Sequence, residues 1–501
     1  MSTTTEAAVG ILFICVVILI FARSTRGQRT VSSFYWGSRA LKPWQSAMLM
    51  LATALSLNGL LYQSWLGYAV GIWSAIIQLI FCAGYLFLAL YAKRFLSLSE
   101  NTLHGQFRDF YGPSAGVIAA IASFIGFASL AGWEFSIFGS LLADAIHLNS
   151  STIVYGMYVV AFLPALYTIR GGLRGNANVN TAFNVISYVV VIGAIFCLFY
   201  MFAKSGDITL TAAGIAPRLK LDFHNLIIGL GGIAALASNV LFSFLWQGAD
   251  MSVWQDVAGS GTSVRNVRRS LIQSSVLVFL APGLFGALLG IALQHLKTIT
   301  QDNVLSAVFN IFSVHPVLAI ALFAGFLATM LSTLDGLFLA ASLSLVGDVF
   351  FRGKFATALR AHSLGEAPAT EPRGLEVGIL TASYLTILLV ALIAGTFFYV
   401  VHTYNIPLFE AVYFAVIGQM SLVPGVYAII LDKSGRLTRR MDGFMSVLFA
   451  LVGGWGTVLL SLNNVAPFSA AFLDWVPLIT IGSGIVGAAI PIGRRPRRAA
   501  A

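Results

Sequence analysis

Residues 52–60 read ATALSLNGL and lie inside an apolar stretch, 45–66, long enough to cross a lipid bilayer. About 20 apolar residues reach across the hydrocarbon core. This stretch nevertheless carries Ser56, Asn58 and Gln63, with an Asn58-Gly59 pair in its middle. Gly in a helix interior costs about 1 kcal/mol against Ala, so the pattern predicts a helix interrupted near Asn58-Gly59. Broken backbone at membrane depth survives only inside protein or beside a wet cavity. The carbonyls released there are ready cation ligands. A Gly that lets two helices approach closely accounts for the same residue, and both explanations stand at this stage.

The rest of the chain has the same character. Of its 501 residues, 58% are hydrophobic and 10% charged, with a mean hydropathy of +0.88. A soluble domain carries about 25% charged residues, so a water-exposed surface for this chain is excluded. Thirteen candidate spans follow: 6–23, 45–66, 72–92, 114–142, 151–169, 180–202, 226–250, 270–294, 316–345, 376–401, 406–431, 443–462 and 475–493. The net charge of +10 does not mark a nucleic-acid surface, because the basic residues come in short bursts between apolar runs. Cys15, Cys82 and Cys197 lie within apolar runs and read as small core hydrophobes.

Residues 8–22 follow Glu6 and no basic residue, whereas Arg23, Arg26 and Arg29 come after them. A secretory signal has the opposite polarity, so this run is expected to be a first span with its N-terminus outside. That orientation puts 25 of the 29 Lys and Arg residues on the cytoplasmic side, as topology signals require. A multi-pass protein of a cell inner or plasma membrane with a cytoplasmic C-terminus is expected. The loop 347–375, with Pro368 and Pro372, reads as a linker, and Arg494, Arg495, Arg497 and Arg498 as an anchor after the last span. No GxxxxGK[ST] motif is present, which disfavours an ATP-driven pump.

Polar residues inside spans separate transporter from receptor, channel and membrane enzyme. In ATMLSTLDG, residues 328–336, Ser332 and Thr333 are adjacent hydroxyls deep in an apolar helix, followed by Asp335. Such hydroxyls either ligate a small bare cation or bond back to the preceding turn. Glu134, in SLAGWEFSIFG, lies within the fourth span. A charge at the bilayer centre costs about 2.5–3.5 kcal/mol. Glu134 is therefore expected to meet an amine of a solute, to carry a proton, or to reach water at the outer face. Asp250 is expected to cap a helix end, and Asp335 to serve a structural partner.

Two further stretches complete an ordered set. YTIRGGLRGNANVNTAFN (167–184) carries Tyr167, Thr168, Gly171 and Gly172, and ADMSVWQDVAG (249–259) follows the seventh span. Together with the hydroxyl pair and Gly347-Asp348, they resemble the signatures of the sodium:solute symporter family, whose members carry proline, pantothenate, sugars, sialic acid and monocarboxylates. The resemblance runs from about residue 34 to 432. It implies an all-α integral membrane protein with a LeuT-type 5+5 inverted repeat core and about 13 transmembrane helices. The first helix and loop (1–44) would precede repeat one (45–202) and repeat two (203–442), with two extra helices and a basic tail (443–501) after them. Spans 2 and 7 would be the paired discontinuous helices, with Gly59 in one and Gly229, Gly231, Gly232 and Gly248 in the other.

The resemblance also implies a site for sodium, the coupling ion, formed by the carbonyls of Ala52, Leu55 and Thr329 and the hydroxyls of Ser332 and Thr333. Solute contacts are expected from Ser56, Asn58, Gly59, Gln63, Glu134, Ser136, Trp246 and Gln247, with Phe242 and Ser243 nearby. The function implied is secondary active symport of a small polar organic solute by alternating access. The chain departs from the family pattern at three places. Ala54 stands where a polar residue is usual, Val179-Asn180 replaces Thr-Asp, and Phe34–Arg39 replaces the family's Phe-Asp-x-Gly-Gly-Arg entry. A second sodium site is therefore not expected. Proton coupling, and a homologue that senses without transporting, remain open. A membrane enzyme is disfavoured, since His104, His147, His224 and His295 are scattered over loops and span ends. The sequence fixes no oligomeric state.

Overall fold

Apolar segments become helices in lipid because no water is there to satisfy a bare backbone. In the computed structural model the described residues are 3–22, 30–98, 102–146, 150–205, 219–261, 263–294, 299–300, 303–352, 373–404, 406, 408–463, 465 and 470–490. No strand occurs among them. The Arg494–Arg498 cluster and most of the expected linker lie outside the described residues.

The main helices, in chain order, begin with α1 (Thr3–Ala22), α2 (Pro43–Ala54), α3 (Leu57–Val70), α4 (Trp73–Leu90), α5 (Leu103–Tyr111) and α6 (Pro113–Ile146). Next come α7 (Ser150–Ser205), α8 (Phe223–Leu230), α9 (Ile233–Ala249), α10 (Met251–Gly259), α11 (Val264–Val278) and α12 (Phe285–Ala292). The last are α13 (Pro316–Ser342), α14 (Arg373–Thr403), α15 (Leu408–Met420), α16 (Val423–Leu431), α17 (Gly443–Leu462) and α18 (Val476–Ala489).

Among the described residues nine helices are long and apolar enough to cross a membrane, or ten with the bent pair α8 and α9 taken as one span. The difference from thirteen segments has three sources. Expected spans 5 and 6 follow one another without a loop as the two helices of α7, which meet at a kink at the non-helical Gly172 (φ 53°, ψ −158°), so the pair counts once. Span 1 is the 20-residue helix α1, Thr3–Ala22, whose stretch Ala8–Phe21 is apolar but shorter than the other spans. Span 2 is divided between α2 and α3, of 12 and 14 residues, neither long enough alone.

The break in span 2 falls at Leu55 (φ −83°, ψ 58°) and Ser56 (φ −90°, ψ 165°), ahead of the expected Asn58-Gly59. Those two residues instead form the first turn of α3. Gly59 is needed there for close approach: a Cβ would meet the Ala54 carbonyl oxygen at 2.5 Å. Ser56 supplies the cap, its Oγ accepting from Gly59 N at 3.0 Å, as Ser does at helix starts. Span 7 is also interrupted. α8 and α9 meet at 89°, across Gly231 (φ 92°) and Gly232 (φ 131°), a conformation that Gly adopts without steric cost.

The interrupted span 2 packs against α13. This helix is wrapped by α1, α2, α6, α7 and α14, and every residue from Leu322 to Asp335 is buried. α2 packs on α7, α10, α11 and α13, whereas α3 packs on α4, α6, α8 and α12. The two halves of one apolar stretch thus belong to different neighbours. On the outside, Tyr155, Val159, Leu166, Val189 and Phe196 of α7 are exposed, an apolar face suited to lipid tails.

Candidate functional site

A helix leaves its last carbonyls without intrahelical partners. Ala52 lies in the last turn of α2, and its carbonyl is met from α13. Thr333 Oγ1 donates to Ala52 O (2.8 Å) and is 3.1 Å from Thr329 O. Ser332 Oγ donates to Thr329 O at 2.9 Å. Ala52, Thr329, Ser332 and Thr333 are therefore gathered at one point, and all are at most 1% exposed. Leu55 stands in the break itself and is fully buried. Thr329 Oγ1 turns the other way, donating to Gly325 O (2.8 Å) with Ser187 Oγ also at 2.8 Å, while its carbonyl serves the cluster. These are hard, uncharged oxygen donors of the type that suits a small monovalent cation.

Beside this cluster opens a cavity of about 240 Å³. Its walls include Thr53, Ala54 and Thr333, so it reaches the oxygen cluster directly. Of the expected solute contacts, Ser56, Asn58, Gly59, Gln63 and Trp246 line it. Phe242 and Ser243 line it as well.

Glu134, Ser136 and Gln247 lie outside that lining, contrary to expectation. Glu134 is fully buried, and its two carboxylate oxygens accept from Leu57 N (3.0 Å) and Asn58 N (3.1 Å). An acid at a helix N-terminus is held by the exposed N–H groups and the helix dipole, and here that bond fastens α6 to the start of α3. Ser136 Oγ donates to Gly132 O one turn earlier (2.9 Å), the ordinary back-bond of a helix interior. Gln247 Nε2 donates to Phe81 O (2.9 Å), tying α9 to α4. The burial cost that pointed to Glu134 is met in part by backbone donors from a neighbouring helix, which sequence does not reveal.

Asp250 is the N-cap of α10: its Oδ1 accepts from Ser252 N (2.8 Å) and its Oδ2 from Trp246 Nε1 (3.0 Å). Asp335 accepts from Asn180 Nδ2 (3.0 Å), and its carbonyl from Asn176 Nδ2 (3.2 Å). Tyr167 donates to Leu331 O at 2.8 Å. The 167–184 stretch thus folds onto α13 just below the hydroxyl pair and holds that helix in place.

Sequence reasoning missed Gln78, Asn239, Tyr413 and Asp474, all on the cavity wall. Gln78 Oε1 accepts from Gln63 Nε2 (2.7 Å), and Tyr62 donates to Asn239 Oδ1. A polar residue in each of the neighbouring spans was visible as a signal. Which of them converge was not.

No family model matches the chain, and no curated protein matches it. Solved structures do. A Na+-coupled sialic acid symporter in a substrate-bound outward-open state matches with a TM-score of 0.68 and 15% identity, over 97% of this chain and 96% of that one. The manganese transporter of Eremococcus coleocola matches with a TM-score of 0.52 and 14% identity, over 88% and 92%. The chain has the LeuT-type transporter fold. It is a multi-pass membrane protein, built as secondary transporters are.

Proposed function

We propose that the protein is a sodium-coupled symporter of a small organic solute and a distant member of the sodium:solute symporter family. Sodium binds among the carbonyls of Ala52, Leu55 and Thr329 and the hydroxyls of Ser332 and Thr333. The solute sits in the adjoining cavity against α3, α4 and α9. The observation that carries this reading is the meeting of Thr333 Oγ1 with Ala52 O at 2.8 Å, because it joins the broken helix to α13 at the cavity edge.

Sodium replaces the shared Thr333 hydrogen as the link between α2 and α13. Freed from donating, both hydroxyls turn lone pairs toward the ion. The filled site holds the end of α2 in place and shapes the cavity wall at Thr53 and Ala54. Loss of the ion loosens that wall, and the two access states exchange by rocking of helices around the site. A site of neutral oxygens binds a cation modestly, which suits an ion that is released at each cycle. The cytoplasmic bias of Lys and Arg supports an outer N-terminus and cytoplasmic C-terminus.

Uptake into proteoliposomes, with and without an inward sodium gradient, tests the proposal. Accumulation driven by sodium supports it. Accumulation driven by a proton gradient alone replaces sodium with the proton as coupling ion, and binding without flux makes the chain a sensor.

A further inference from the structure

We infer that the cavity recognises an organic cation, such as an amine, that bears no carboxylate or other anionic group. This rests on the carrier reading above for the cavity's role, and it adds the class of solute.

The first turn of a half-helix at membrane depth is a natural anion site, because four N–H groups lack intrahelical partners and the helix dipole adds positive charge. In discontinuous-helix transporters such ends point at anionic groups of the solute. In this chain the three first-turn donors of α3, Leu57 N, Asn58 N and Gly59 N, are taken by the protein itself. Leu57 N and Asn58 N donate to the two oxygens of Glu134, at 3.0 and 3.1 Å. Gly59 N donates to Ser56 Oγ at 3.0 Å, and Leu60 N to Ser56 O at 2.9 Å. A solute carboxylate arriving at α3 finds the N–H groups of its first turn occupied, two of them by the buried Glu134 side chain.

The remaining lining has the same sign. Among the described residues it contains no Lys, Arg or His, and its one carboxylic acid is Asp474. Asp474 belongs to the wall near the α8–α9 bend, where a Cβ on Gly231 would lie 3.6 Å from its Oδ2. Tyr62, Phe81, Trp133, Phe242 and Trp246 supply aromatic faces, which attract a cation through the ring quadrupole. An anion would lose its hydration shell here and meet no cationic side chain, a cost that the lining leaves largely uncompensated.

The test is binding by the purified full-length protein, read as thermal stabilisation with matched pairs that differ by one carboxylate: tyramine and tyrosine, agmatine and arginine, choline and glycine betaine. Half-maximal stabilisation by at least one carboxylate-free member is expected at a concentration about tenfold or more below that of its partner. Equal or tighter binding of the carboxylated members overturns the inference, and so does a panel in which no amine stabilises the protein. Glu134→Ala gives a second readout. Sodium acetate is expected to restore the variant's melting temperature toward wild type where sodium chloride does not, and identical melting in the two salts contradicts the claim that Glu134 fills an anion site. Neither readout depends on transport. If amines bind without sodium-driven accumulation, the carrier reading fails and the solute class stands.

Discussion

Thr333 is the residue on which most depends, because a single hydroxyl touches both the broken helix and the helix behind it. It was legible in sequence: a Ser-Thr pair in an apolar helix has few reasons to persist, and ligation was one of two. Geometry brings Ala52 to it, which no pattern within residues 328–336 could predict. Replacing Ser332 and Thr333 together by Ala removes the two hydroxyls proposed as ligands. Each contact to a charged group is worth about 1.5–3 kcal/mol, so the sodium concentration for half-maximal uptake is expected to rise by at least about tenfold, measured in proteoliposomes. Gly59 makes a second prediction. A Cβ at 2.5 Å from the Ala54 carbonyl forces the two half-helices apart, and overpacking of this kind costs about 1–3 kcal/mol. Gly59→Ala is expected to lower the melting temperature in detergent and to weaken solute binding. A variant that melts and binds like wild type would show that the close approach is unimportant.

At the scale of elements, the interruption in span 2 was foreseen and its position was not. Asn58-Gly59 signalled a break because both residues are poor in a helix interior, yet they stand in the first turn of α3, where capping and close approach make them suitable. The break itself lies at Leu55-Ser56, ordinary residues whose conformation is set by what each half packs against. The same lesson applies to Glu134. Sequence marked it as costly, and its two backbone partners come from a helix that begins 77 residues earlier. The bend between α8 and α9 makes a further prediction. Gly231 has φ 92°, a region that costs L-residues about 1–2 kcal/mol. Gly231→Ala is expected to destabilise the protein by that amount and to displace the wall near Asp474. Thermal melting gives the first effect. Accessibility of a cysteine placed at Ser238, labelled with a small maleimide, reports the second, and unaltered labelling would contradict it.

For the whole molecule, composition made the membrane class readable, since it depends on sums over the chain. The number of separate spans was less readable. Expected spans 5 and 6 are both present within α7, joined without a loop at the non-helical Gly172. The cavity was the least legible feature. Gln78, Asn239, Tyr413 and Asp474 lie on four separate segments, and their convergence is a property of the packed bundle alone.

The account stands on a monovalent cation held between α2 and α13. The most direct measurement is a sodium titration of the thermal stability of the purified full-length protein, with potassium as control, for wild type and for the Ser332→Ala, Thr333→Ala double variant. Wild type is predicted to be stabilised by sodium and not by potassium, and the variant to need at least about tenfold more sodium for the same shift. A variant that answers to sodium as wild type does would contradict the placement of the ion at this site.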